Sequence, residues 1–205
     1  MTGLAQLLKN QGKTVWGSDT SEHFFTNEVL QHAGVECLED WNAAHLERQI
    51  DVVVRSTAYG DAHPEVAAAK AKGIPVLSYP EALGELTKEY YTIAISGTHG
   101  KSTTTAMIGL ILERAGLDPT VIVGTKVKEF GPSTGLGSNC RVGNNEYLHQ
   151  GKPLLVIEAD EHFASFLNYS PDIIVLTTIE ADHLDYYKNL SNILRTFRAY
   201  ILRLP

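Results

Sequence analysis

The sequence predicts an α/β protein in two units with parallel sheets, and three observations carry that prediction. Short apolar, β-prone runs alternate with helical segments at a spacing that needs crossover helices. One such run, residues 91–95 (YTIAI), passes through the Gly-rich turn Ser96-Gly97-Thr98-His99-Gly100 into a helix opening at Lys101. Residues 87–90, Thr-Lys-Glu-Tyr, form a junction, which gives units of 1–88 and 89–205.

In order, residues 1–13 read as a helix with Leu4, Leu7 and Leu8 on one face, ended at Gly12. Residues 14–17 read as a strand, and Ser18-Asp19 sits just past its end, where α/β folds place ligand contacts. A helix follows over 24–33 and a short strand over 35–38. Residues 51–54 (DVVV) read as a buried strand with Arg55-Ser56-Thr57-Ala58 at its carboxyl end. Helix 64–72 has Pro64 in its first turn. Strand 74–77 and helix 80–86 complete the first unit.

In the second unit the helix from Lys101 is expected to bury Met107, Ile108, Ile111 and Leu112, with Gly116 as its cap. Strands are expected at 119–124, 153–157 and 172–178, and a final helix at 189–202. Residues 126–150, rich in Gly, Asn and Ser, read as loops or a hairpin; Lys126 and Lys128 there are either solvated or turned to a substrate.

Composition narrows the function. Hydrophobic residues make 43% of the 205 and charged residues 20%, which is ordinary for a globular protein. A net charge of −7 argues against a nucleic-acid surface. Cys37 and Cys140 lack metal-ligand spacing and read as free thiols in a reducing cytoplasm. No apolar run is long enough to span a membrane, and the N-terminus has no signal-peptide pattern. His23, His32, His45, His63 and His149 are expected on the surface, and Trp16 and Trp41 in or near the core.

Strand, Gly-rich turn, Lys-Ser and helix is how a chain holds a polyphosphate. Gly97 and Gly100 let backbone N–H groups turn inward, the helix N-terminus adds positive potential, and the residues expected to hold nucleotide are Gly97, Thr98, His99, Gly100, Lys101, Ser102 and Thr103. Lys101 can reach the β- and γ-phosphates, and the Ser102 hydroxyl can ligate Mg²⁺. The spacing is shorter than the common P-loop, which would need a glycine at Ile95, so a Gly-rich turn without a ligand is the other reading. A lysine opening a helix opposes the macrodipole, and a bound phosphate would remove that conflict. Two acidic strand ends follow, Glu158 and Asp182-His183, on the same edge as the turn. Glu158 oxygen suits Mg²⁺; His183 is an unusual ligand for it, and solvated or structural roles remain open for both.

Ser-Gly-Thr-His-Gly-Lys-Ser-Thr-Thr-Thr, the acidic run Glu158-Ala159-Asp160-Glu161 and Glu180-Ala181-Asp182-His183-Leu184-Asp185-Tyr186-Tyr187 together resemble the Mur ligase family. Met1-Thr2-Gly3-Leu4-Ala5 is similar to a stretch that follows the first strand and Gly-rich turn in that family. The resemblance implies an incomplete Rossmann-like UDP-sugar-binding domain, then an incomplete P-loop ATPase (Mur ligase central) domain, with the chain cut short at both ends and inactive alone. It implies ATP and Mg²⁺ as cofactors, with Lys101, Glu158 and His183 catalytic and Ser102, Glu158 and His183 on metal. The implied reaction is ATP-dependent addition of L-alanine to UDP-N-acetylmuramate through an acyl phosphate, in the cytoplasm. The resemblance implies small-molecule substrates, with no nucleic-acid or membrane partner. Ser18, Asp19, Ser56, Thr57 and Ala58 would meet the UDP part of the substrate. A ligase recycling murein tripeptide, and a nucleotide-binding module without catalysis, are the alternatives. The chain departs from the family at Thr178, where Asn is usual, and at His162-Phe163, where Ser-Asp is usual.

Overall fold

The computed structural model describes residues 1–131 and 135–205, so part of the loop or hairpin expected over 126–150 lies outside the described residues. The chain forms two compact units, Met1–Ala82 and Leu83–Pro205.

The first unit holds α1 (Thr2–Asn10), β1 (Trp16–Ser18), α2 (Phe25–His32), β2 (Glu36–Leu38), β3 (Val53–Arg55), α3 (Pro64–Ala71) and β4 (Val76–Ser78). A 3₁₀ turn, Ala43–Glu47, is capped by the Asn42 side chain, which accepts from the Ala44 N–H at 3.0 Å. Helix α1 buries Leu4 and Leu7 on one face and closes before Gly12, whose φ of 78° suits glycine. Strand β1 pairs in parallel with β2, Trp16 opposite Glu36, and β3 in parallel with β4, Val53 opposite Val76.

Two expectations need correcting here. The strand read over 51–54 begins at Val53 and is half-buried, with Val52 44% exposed. Its pair is two-stranded among the described residues, so the valines are covered on fewer sides than a central strand would be. His45 and His63 are not surface residues. The His45 ring Nδ1 lies 2.7 Å from Glu65 Oε1 and its side chain is 16% exposed. Both ring nitrogens of His63 are buried against Trp41 and Tyr59, at centroid distances of 5.1 and 4.9 Å.

The second unit begins within α4 (Tyr79–Glu89). It continues through β5 (Tyr91–Ser96), α5 (Lys101–Arg114), β6 (Thr120–Val127), β7 (Ser138–Arg141), β8 (Leu148–His149), β9 (Lys152–Glu158), β10 (Ile173–Leu176), α6 (Leu184–Tyr187) and α7 (Leu190–Ile201). The sheet runs β10-β5-β9-β6-β7. β10, β5, β9 and β6 are mutually parallel; β7 returns antiparallel on β6, and β8 pairs antiparallel with β9. The sheet is thus mostly, not wholly, parallel, and the Gly- and Asn-rich segment supplies the antiparallel returns. Register places Ile95 opposite both Glu158 and Val175, which brings three strand ends to one edge.

That edge is anchored by a dry interior. Ile95, Val121 and Val156 are fully buried, each worth about 1.5–3 kcal/mol over an exposed side chain, and Ala106, Ile108, Leu110 and Leu112 of α5 pack on their cluster. Ile108 and Leu112 face the core as expected, but Met107 and Ile111 do not, being 57% and 61% exposed, while Thr105 and Gly109 are buried. A Cβ on Gly109 would stand 2.7 Å from Val121 Cγ2, so small residues set the approach of α5 to β6. Helix α7 buries Ile193, Phe197 and Tyr200 at helical spacing.

The thiols differ as their burial does. Burial pushes Cys140 up to about 12, and burial with the nearby Asp19 and Glu39 raises half-exposed Cys37 less. Native alkylation at pH 8 is expected to label Cys37 first and Cys140 only on unfolding. Equal labelling rates by mass spectrometry would show that β7 opens readily.

Candidate functional site

Strand β5 ends at Ser96, and the turn behind it is shaped by two glycines with positive φ, Gly97 at 134° and Gly100 at 80°. Gly97 is pressed against the chain leaving β10: a Cβ there would stand 2.2 Å from Thr177 Oγ1 and 2.7 Å from the Thr178 carbonyl oxygen. The Thr98 N–H donates to that carbonyl at 2.7 Å and the His99 N–H to the Thr178 hydroxyl at 3.3 Å. The Glu180 N–H donates back to Thr98 Oγ1 at 2.9 Å. Thr178 thus serves the turn through its carbonyl and its hydroxyl. The N–H groups of two residues of the predicted nucleotide-holding turn are therefore engaged with it. The first N–H groups of α5, from Lys101, Ser102 and Thr103, have no acceptor inside the helix. A cavity of about 270 Å³ opens over them, lined by Thr98, His99, Gly100, Lys101, Ser102, Thr103 and Glu158. Of the residues predicted to hold nucleotide, Gly97 alone is not on that wall, since it supports the turn from beneath.

Lys101 is not left against the helix dipole as the sequence implies. Its Nζ lies 3.0 Å from each carboxylate oxygen of Glu161, Oε1 accepting the hydrogen bond, and donates to the Gly97 carbonyl at 2.7 Å. The two side chains are 14% and 4% exposed, so the pair is buried and charge-compensated. The Tyr187 hydroxyl donates to the Glu161 carbonyl, and burial pushes that phenol up to about 12, which keeps it a donor.

Ser102 and Glu158 come together at the cavity wall. The Ser102 hydroxyl donates to Glu158 Oε1 at 2.9 Å, and the Gly124 N–H donates to Oε2 at 2.7 Å. A hydroxyl and a carboxylate at one cavity wall are the hard oxygen donors that Mg²⁺ takes, so the donor set fits that ion. His183 is placed elsewhere. It begins α6 in a left-handed conformation, φ 49°, with Nε2 4.0 Å from Glu161 Oε1. Ligand atoms of Asp160, Glu161 and His183 lie within 4.8 Å of one another. The expected trio Ser102, Glu158 and His183 is therefore divided between two acidic groups. The His183 N–H donates to Asp182, which holds that exposed carboxyl below its usual range.

Sequence reasoning missed Glu161, Gly124 and Glu65 as partners. Glu161 had a signal, its place in the acidic run; Gly124 had none, since only sheet register brings it to Glu158. In the first unit Ser18 ends β1 and its hydroxyl donates to Glu65, which is 9% exposed and also meets His45. The Asp19 N–H donates to the Leu38 carbonyl at 2.9 Å, and its carboxylate accepts from the Thr20 N–H at 2.8 Å. Past β3, Ser56 Oγ accepts from the Ala58 N–H at 3.2 Å, and Thr57 and Ala58 are exposed. These five residues stand at the carboxyl ends of β1 and β3.

A glycine turn feeding a helix N-terminus, with a lysine and an acidic strand end over a parallel sheet, defines an α/β protein with phosphate-loop geometry. Residues 1–91 match the family model described as Mur ligase family, catalytic domain, and residues 95–205 match that of the Mur ligase middle domain. The chain belongs to the Mur ligase family. It is 43% identical over its whole length to a UDP-N-acetylmuramate–L-alanine ligase of Desulfitobacterium hafniense and 44% identical to one of Trichlorobacter lovleyi. It spans 42% of the length of each. Among solved structures, it is similar to the UDP-N-acetylmuramate:L-alanyl-γ-D-glutamyl-meso-diaminopimelate ligase from Neisseria meningitides. That likeness has a TM-score of 0.85 and 30% identity, over 100% of this chain and 65% of the other. The UDP-N-acetylmuramate–alanine ligase from Thermotoga maritima matches with TM-score 0.83 and 25% identity, over 100% of this chain and 45% of that one. Among the described residues no helix is long and apolar enough to cross a membrane.

Proposed function

We propose that this chain is the UDP-sugar- and ATP-binding part of a cytoplasmic ligase that joins L-alanine to UDP-N-acetylmuramate in peptidoglycan precursor synthesis. The observation that carries the reading is the meeting of Ser102 and Glu158 at the mouth of the glycine turn, beside the first N–H groups of α5. Mg²⁺ at Ser102 and Glu158 would neutralise phosphate charge. The N–H groups of Lys101, Ser102 and Thr103 would receive phosphate oxygens, and the Lys101 ammonium would follow charge onto the γ-phosphoryl as it moves. The lactoyl carboxylate oxygen bonds to that phosphorus as the bond to the β,γ-bridging oxygen breaks, giving an acyl phosphate and ADP. The amine of alanine then displaces phosphate, forming the amide. The work of the chain's own residues is positioning and charge compensation. In the first unit, Ser18, Asp19, Ser56, Thr57 and Ala58 offer polar groups at strand ends for the UDP part.

The likeness to a tripeptide-adding ligase supports a second reading in which murein tripeptide is the incoming amine. One assay separates them. In the whole protein, phosphate release with ATP, Mg²⁺ and UDP-N-acetylmuramate should depend on L-alanine and not on L-alanyl-γ-D-glutamyl-meso-diaminopimelate. Lys101→Ala should slow single-turnover chemistry roughly 10²-fold or more. Asp19→Ala and Ser56→Ala should instead weaken UDP-sugar binding. Amine-independent phosphate release, or full activity in Lys101→Ala, would remove this reading.

A further inference from the structure

His162 and Phe163 open the 3₁₀ segment that follows Glu161, and the structure gives His162 an unusual setting. Its ring lies flat on that of His183, with centroids 4.1 Å apart and planes 11° from parallel. Phe163 covers its neighbourhood in turn, its ring 4.1 Å from that of His162 at 24°. Tyr186 meets Phe163 edge-on at 5.2 Å. The backbone on both sides is held in the left-handed region that side chains rarely adopt: φ is 52° at Phe163, 54° at Ala164 and 49° at His183. Such strain persists only where surrounding contacts over-determine it. Here the contacts are the ring stack and the Tyr187 hydroxyl on the Glu161 carbonyl. His162 Nε2 is buried with no hydrogen-bond partner among the described residues. A buried imidazole nitrogen without a partner is a cost, so the favourable contribution comes from the face of the ring.

We propose that His162 is a positioning residue, a flat plank that fixes the ring plane of His183 and so aims its Nε2 toward the carboxylate of Glu161, beside Asp160. The proposal rests on the reading of His183 as a group that serves a cation. Without the stack, the His183 ring is free to rotate about its side-chain bonds, with only a distant contact to Glu161 at 4.0 Å to hold it among the described residues. A residue that orients a ligand from outside the ligand set commonly changes metal affinity by about 10-fold or more. The chemistry the plank needs is planarity, not a nitrogen.

The test uses the 205-residue chain with isotope-labelled histidine and Mn²⁺ alone as the probe. In the unsubstituted protein the His183 ring signals should show an upfield ring-current shift and should broaden on Mn²⁺ addition. His162→Ser should lose the shift and need about 10-fold more Mn²⁺ for half-broadening. His162→Phe should keep both, and should melt no lower, since it removes the unpartnered nitrogen. His162→Leu, which fills space without a flat ring, should behave as His162→Ser and serves if the serine variant does not fold. An unchanged His183 shift and Mn²⁺ midpoint in the serine or leucine variant would overturn the proposal. So would a phenylalanine variant as weak as the serine one, because the nitrogen would then be what matters. If Mn²⁺ fails to broaden His183 in the unsubstituted protein, the cation reading of His183 fails, while the ring shifts still decide whether His162 fixes its plane.

Discussion

Lys101→Ala is expected to destabilise the second unit by about 3 kcal/mol, and the cause is the carboxylate it leaves behind. Glu161 is 4% exposed and has Lys101 at 3.0 Å as its counter-charge. Removing one member of a buried pair typically costs about 3–5 kcal/mol, because the other charge is then stranded. From helix electrostatics alone the opposite sign follows: loss of a lysine from a helix N-terminus should stabilise slightly. Urea unfolding of Lys101→Ala, Glu161→Gln and the double variant separates the two. The double variant should recover much of the loss, since neither charge is then left alone. A Lys101→Ala protein at least as stable as the original would show that the pair does not persist in solution.

Gly97→Ala is expected to be the most damaging single methyl in the turn. Its Cβ would stand 2.2 Å from Thr177 Oγ1 and 2.7 Å from the Thr178 carbonyl oxygen, at a φ of 134° that alanine adopts only with strain. Overpacking and backbone strain each cost about 1–3 kcal/mol, so a loss of roughly 2–5 kcal/mol follows, with displacement of the Thr98 and His99 contacts to Thr178. Gly100→Ala isolates the backbone effect: φ is 80°, but the nearest atom to its Cβ is Thr177 Cγ2 at 3.9 Å. It should cost about 1 kcal/mol. Urea unfolding and displacement of a fluorescent ATP analogue should rank Gly97→Ala well below Gly100→Ala. Equal effects would mean that β10's exit does not press on the turn.

The parts legible in the sequence were those whose causes lie close together along the chain. The glycine turn, Lys101 and Ser102 are contiguous, and the strand before them declares itself by an unbroken apolar run. The alternation of strands and helices follows from the same local periodicities. What escaped needed distant partners. Glu161 is adjacent to recognised residues, yet its role depends on Lys101 reaching across from α5. Gly124 reaches Glu158 only through the parallel register of β6 on β9. Met107 and Ile111 have the right spacing for a buried helix face. The face actually buried includes Gly109, whose lack of a side chain lets α5 close on Val121. His45 and His63 looked polar in isolation, and only the folded unit supplies Glu65 to one and two aromatic rings to the other.

The pairing of Lys101 with Glu161 and of Ser102 with Glu158 makes ligand entry an exchange. An incoming phosphate that draws on the ammonium competes with a carboxylate already in place at 3.0 Å, and a cation bound at Glu158 competes with a hydroxyl proton and the Gly124 N–H. Only the difference between the outgoing and incoming contacts appears as affinity. A lone anion such as sulfate brings no cation to offset Glu161 and Glu158, so it gains little from the cavity. A polyphosphate arriving with a divalent ion offers both signs of charge at once, and can replace both internal contacts in one event. Discrimination of that kind arises from the internal contacts the site has to give up.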